Sequence, residues 1–117
     1  MSTNYYAHGP FPGGDTEEGL HIGQTAAGWR FLYRGWPEHG LTTAKSWYFF
    51  LLKNMSSIRD EYDRPYTLDE FRLIANRAEG GNGGQLKPRY GDRTNDQLDV
   101  GQHIDPDGNA FYSGEFC

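Results

Sequence analysis

The sequence predicts an α+β domain, in which a small antiparallel sheet built from hairpins carries two helices packed on one face. Three observations carry that prediction. Residues 29–34 alternate Trp29, Phe31 and Tyr33 with Arg30, Leu32 and Arg34, the period of two that a strand requires. Residues 67–78 place Leu68, Phe71, Ile74, Ala75 and Ala78 on one helical face, behind a Thr67/Glu70 pair at capping-box spacing. Asp105-Pro106-Asp107-Gly108 supplies turn chemistry between two short segments of mixed polarity. Two helices on one face of a small antiparallel sheet is the economical packing of such elements.

The elements follow in chain order. Tyr5 and Tyr6 start a short strand, and 7–19 is a loop punctuated by Gly9-Pro10, Pro12-Gly13-Gly14 and Gly19. Residues 20–35 read as a hairpin, with Leu20, Ile22 and Gln24 on one arm and a turn over 25–28. A second loop spans 36–40. Thr42 or Thr43 then caps a helix over 44–54, with Trp47, Phe50, Leu51 and Met55 as its buried stripe and Tyr48 and Phe49 widening that face. A tight hairpin follows over 58–66, turning near Asp63-Arg64. Gly80 stands as the terminating glycine of the second helix. Residues 80–84 form a glycine-rich turn, and 85–97 are polar and without pattern. A strand over 98–104 pairs with one over 109–112.

A chain of 117 residues has the size of one domain, taken as 1–117. Its apolar content is unusual in kind, because Phe, Tyr and Trp (18) outnumber Leu, Ile and Val (14). Abundant rings and a net charge of only −5 set the composition apart from disorder and predict a core built largely from aromatic side chains. Cys117 is the single cysteine, which excludes an internal disulfide and a cysteine zinc cluster and fits a reducing compartment. Residues 1–6 lack the pattern of a signal peptide, and the longest apolar run, 47–52, is too short to span a bilayer. All 11 bases fall within residues 30–93, whereas residues 94–117 hold five acids and no base. That is a mixed surface with an acidic end, too sparse in basic charge for strong non-specific nucleic-acid binding.

No catalytic motif emerges. His8, His21, His39 and His103 show no i, i+4 pair, and a metal site would need His21 and His103 brought together by the packing of two hairpins. The plainer reading is four surface or half-buried histidines, so no metal and no cofactor is predicted. Asp105, Asp107, Gly108 and Asn109 share features with a calcium loop but lack its later glutamate. The run Gly80 to Gly84 follows a helix and lacks the Lys-Ser/Thr of a phosphate loop, leaving Lys87, Arg89 and Arg93 as a loop-borne grip for an anion. Ser46, Ser56, Ser57 and Ser113 sit in no nucleophile elbow, and Cys117 has no fixed base beside it. One constellation suits recognition. Arg30 and Arg34 share a strand face, flanked by Trp29 and Trp36, and arginine with flat rings both stacks and pairs with phosphate or carboxylate. The plainer alternative puts Trp29 in the core and the arginines on the surface.

Short islands spread over most of the chain carry a resemblance. They are Tyr5-Tyr6 with His8, Leu20-His21-Ile22-Gly23, Gly28-Trp29, Pro37-Glu38, Ile58 with Asp60-Glu61-Tyr62, the helix from Thr67 to Arg77, Gly81-Asn82-Gly83 and Gly114-Glu115-Phe116. Together they resemble a family of small uncharacterised proteins of tailed bacteriophages and prophages. The Leu-His-Ile-Gly island with the following Gly-Trp is its specific part. Members of that family often carry a Cys-x-x-Cys ahead of Leu-His-Ile-Gly; Gly9 to Gly14 stand there instead, so a zinc role does not transfer.

The resemblance implies a phage accessory protein acting in the host bacterial cytoplasm. The function expected from it is non-enzymatic: binding a host or anti-phage defence protein and inhibiting or redirecting it. Arg30, Tyr33, Arg34, Trp36 and Tyr112 are the expected anchors, since Trp, Tyr and Arg dominate interface energetics. The alternative is a nucleotide-sequestering protein with Trp29, Arg30, Arg34 and Arg89 at the ligand. Further alternatives are a virion component and a metal enzyme built on His21 and His103. Oligomeric state stays open.

Overall fold

The computed structural model describes residues 2–116. Met1 and Cys117 lie outside the described residues, and with Cys117 the reading of its terminal thiol. The elements are β1 (Ser2–His8), β2 (Leu20–Ala26), β3 (Trp29–Arg34), α1 (Ala44–Lys53), β4 (Ser57–Asp60), β5 (Pro65–Tyr66), α2 (Leu68–Ala75), β6 (Gln102–Ile104) and β7 (Ala110–Tyr112). They form an α+β fold around one seven-stranded sheet in the order β5-β4-β1-β2-β3-β7-β6.

The sheet departs from the expected small antiparallel one. It is larger, and β3 pairs with β7 in parallel, Leu32 opposite Ala110 and Arg34 opposite Tyr112. After β3 the chain runs through both helices and a long loop before it returns, and a parallel neighbour requires such a crossover. The tyrosines expected to start a short strand belong to seven-residue β1, which sits inside the sheet between β2 and β4. The β1–β2 register shifts after Tyr5, which pairs with Gly23, while Tyr6 pairs with His21, so Ile22 is the bulged residue of β2. A Cβ on Gly23 would stand 2.3 Å from the Leu32 carbonyl oxygen and 2.4 Å from the Phe31 ring, so glycine is what lets β3 close on β2 there.

One face of the sheet is the core face. Tyr5, Ile22, Phe31, Tyr33 and Phe111 pack there against Trp47 and Leu51 of α1 and Phe71 and Ala75 of α2. Ring-on-ring contact dominates: Tyr33 stacks on Phe111 at 4.9 Å, and Phe71 meets Phe31 at 5.6 Å and Tyr5 at 5.7 Å. Trp47 is fully buried and its indole N–H donates to the Arg34 carbonyl at 2.9 Å. The few aliphatic residues are thus replaced by rings that each remove a large area from water.

Both helices start as their sequences dictate. Thr43 and Ser46 form a reciprocal capping box for α1, and Thr67 and Glu70 form one for α2. Asp105 adds a distant cap, its Oδ2 accepting the Ala44 N–H at 2.8 Å while Oδ1 accepts the N–H groups of Asp107 and Asn109. The acid-rich turn of residues 105–109 is therefore the clamp between the β6–β7 hairpin and the start of α1. The second helix is shorter than expected: it ends at Ala75 with Asn76 as its cap, Ala78 is exposed, and Gly80 lies beyond it. The expected strand over 98–104 is reduced to β6.

Candidate interaction surface

The period of two in β3 sends Arg30, Leu32 and Arg34 to the helix-free face and Phe31 and Tyr33 into the core. Tyr33 is fully buried, with its hydroxyl bonded to that of Tyr48, so the expectation that Tyr33 anchors a partner is corrected. Arg34, Trp36 and Tyr112 do come together. Arg34 and Tyr112 are register partners, and the Arg34 guanidinium lies 3.9 Å over the Trp36 ring, whose Nε1 donates to the His21 carbonyl at 2.9 Å. They form a packed layer rather than an open anchor, for Arg34 is only 8% exposed and Trp36 and Tyr112 are half-buried. His21 belongs to that layer. Its ring stacks on Tyr6 at 5.1 Å, meets Phe116 at 4.6 Å, and places Nε2 2.9 Å from Asn4 Oδ1. Burial first, and the Arg34 charge second, push its pKa from 6.5 down to about 4, so His21 is a neutral ring that donates to Asn4.

The four residues expected around a nucleotide do not share one site. Arg30 and Arg34 face the helix-free side while Trp29 follows the core-face alternation. Arg89 is committed to the scaffold: Nε donates to the Arg30 carbonyl at 2.7 Å and Nη2 to that of Gln24 at 3.2 Å. Trp29 and Arg34 also reverse the plainer expectation. The tryptophan, at the turn end of the hairpin, is 40% exposed, and the arginine is buried. His21 and His103 lie on opposite faces of the sheet, His103 stacking on core residue Phe111 at 4.7 Å with Nε2 2.7 Å from the Thr42 carbonyl, which removes the joint metal site. Among the described residues no group of three or more His, Cys, Asp or Glu is placed to hold a metal ion.

The surface that stands out is the outer side of α1. Ala44, Trp47 and Leu51 point inward and Phe50 is half-buried. Phe49 and Leu52 are each 67% exposed and Met55 is 90% exposed, so the expected place of Met55 in the buried stripe is corrected. The reason is the way α1 ends. The Met55 N–H donates to Leu52 at 3.2 Å and the Ser56 N–H to Leu51 at 3.0 Å, the pair of bonds of a Schellman motif. Met55 thereby takes φ 49°, a left-handed backbone usually left to glycine, and its side chain leaves the helical spiral for solvent. The apolar strip continues into a depression of about 440 Å³ between α1 and the 9–14 loop, lined by Phe11, His39, Leu41, Phe49 and Phe50. Exposed Lys45 and Lys53 border it, and α1 carries no acid. The sequence did hold a signal: six consecutive apolar residues, 47–52, cannot all face inward at 3.6 residues per turn.

No protein family, no curated protein and no solved structure matches the chain. Among the described residues no helix is long and apolar enough to cross a membrane.

Proposed function

We propose that the protein is a non-enzymatic phage accessory protein that binds a host or anti-phage defence protein in the bacterial cytoplasm, and that the outer side of α1 is its docking surface. One observation carries the reading: Phe49 and Leu52 on the outer side of α1 and Met55 just past its end are exposed apolar side chains, at 67%, 67% and 90% exposure. Full burial of such side chains is worth about 1.5–3 kcal/mol each, so the strip holds the energy of an interface core. The lysines beside it select the partner's chemistry, an apolar pocket rimmed by carboxylates. The resemblance to phage proteins supplies the cellular setting.

The test compares capture from a host lysate by the tagged protein and by its Phe49→Glu, Leu52→Glu double variant. Both side chains make little burial to lose, so the variant keeps the fold, which circular dichroism verifies. The expected result is one protein retained stoichiometrically by the wild type and lost from the variant. Equal capture by both, no capture by either, or a wild-type dimer that the variant dissociates would each refute the reading.

A further inference from the structure

Away from α1, a cavity of about 500 Å³ opens between the turn of the β2–β3 hairpin, the end of α2 and the glycine loop of residues 80–84. It shares no residue with the α1 surface and lies within the size range of small-molecule sites, about 300–1,000 Å³. Its apolar floor is Phe31, Ile74 and Leu86, and Trp29 stands at its wall. Of the three tryptophans, Trp47 is fully buried and Trp36 half-buried, whereas this indole is 40% exposed.

The charge of the cavity is one-sided. Among the described residues Arg77 is the cation in its lining and no carboxylate lines it, although acids outnumber bases 16 to 11 in the chain. Arg77 is exposed, and the ion pair found among the described residues, Arg59–Asp63, lies elsewhere. The lining also offers the polar side chains of Thr25, Asn82 and Gln85.

The cavity is already built. Lys87 N–H donates to the Gly28 carbonyl at 2.9 Å, Arg30 N–H to Lys87 at 2.8 Å, and Leu86 N–H to Ala78 at 2.9 Å, tying the hairpin turn, the loop and the end of α2 together. The loop closes on itself through Gly80 N–H to Gly84 and Gly83 N–H to Gly80. A ligand therefore meets fixed walls, which removes an ordering cost from binding.

We propose that this cavity binds a nucleoside monophosphate, its base stacked on Trp29 and its phosphate paired with Arg77. An exposed indole over an apolar floor takes the face of a base, and an unpaired guanidinium takes the phosphate with two parallel hydrogen bonds. The site goes beyond the α1 surface and stands or falls without it.

Intrinsic fluorescence tests it, because Trp47 is fully buried and neither Trp36 nor Trp47 lines the cavity. Titration with the 5′-monophosphates of adenosine, guanosine, cytidine and uridine is expected to quench Trp29 for at least one of them. The matching nucleoside without phosphate binds about tenfold more weakly, and Arg77→Gln brings the nucleotide down to the same level. Trp29→Phe removes the quench and weakens binding in calorimetry. Both positions are exposed, so the variants fold. The proposal is overturned if no monophosphate gives quench or heat in the millimolar range, if the quench survives in Trp29→Phe, or if Arg77→Gln binds as the wild type does.

Discussion

Replacing Met55 with glycine should stabilise the protein while weakening its hold on a partner. Met55 occupies the residue after the helix cap with φ 49°, where an L side chain is disfavoured by about 1–2 kcal/mol. At 90% exposure its side chain contributes almost no burial to lose. Glycine takes back about 0.5–1 kcal/mol through its greater freedom in the unfolded chain. The net is a gain of roughly 0.5–1 kcal/mol, or a rise in Tm of roughly 2–4 °C for a chain this long. Urea and thermal unfolding followed by circular dichroism measure it, with Met55→Ala as the control that keeps the left-handed strain. If the glycine variant is no more stable than the wild type, or alanine gains as much, the account of how α1 ends is wrong. If Met55→Gly gains stability and captures a partner as well as the wild type does, then Met55 is no anchor.

Three further outcomes follow from the buried polar groups. His21 has its pKa lowered from 6.5 to about 4 by burial and by Arg34, so the unfolded chain binds the proton more readily between those values. Its contribution is full above pH 6.5 and falls by up to about 3 kcal/mol as pH drops to about 4, and His21→Gln should flatten the pH dependence of urea midpoints over that window. Asp60 responds at lower pH. Burial works to raise its pKa, but hydrogen bonds from the Tyr66 hydroxyl and the Arg64 and Tyr62 N–H groups outweigh it, so the stability it gives is present above its ordinary value of 3.8 and lost as pH falls further; Asp60→Asn should lose stability at neutral pH and little in acid. Asp105→Ala leaves the N–H groups of Ala44, Asp107 and Asn109 without their acceptor, and about 2–4 kcal/mol of unfolding free energy should disappear in urea titration.

Local chemistry was legible in the sequence and long-range geometry was not. The Thr67/Glu70 spacing became a two-way capping box, and the alternation of 29–34 became β3 with its two faces as read. Alternation fixes the face of a residue but not its place along the strand. Trp29 lies at the turn end of the hairpin, where it is 40% exposed, and Arg34 lies deep under Trp36. β1 was read only as a short strand beginning at Tyr5 and Tyr6, because its sequence, STNYYAH, has no apolar alternation; Asn4 is nonetheless 3% exposed, held by His21, Gln24 and Glu61. Only a folded sheet brings those partners from distant parts of the chain. The parallel pairing of β3 with β7 has no local signature at all. The strip on α1 was half visible: the apolar run 47–52 announced a surplus, but the conformation of Met55 decided where the third side chain went.

The most direct measurement is hydrogen exchange on the protein in complex with the proposed host partner, compared with the free protein. The account predicts added protection confined to residues 45–56 and the adjoining 9–14 loop, with β3, β7 and the 80–84 loop unchanged. Protection centred on Trp36, Tyr112 and the helix-free face, with α1 unaffected, would contradict it.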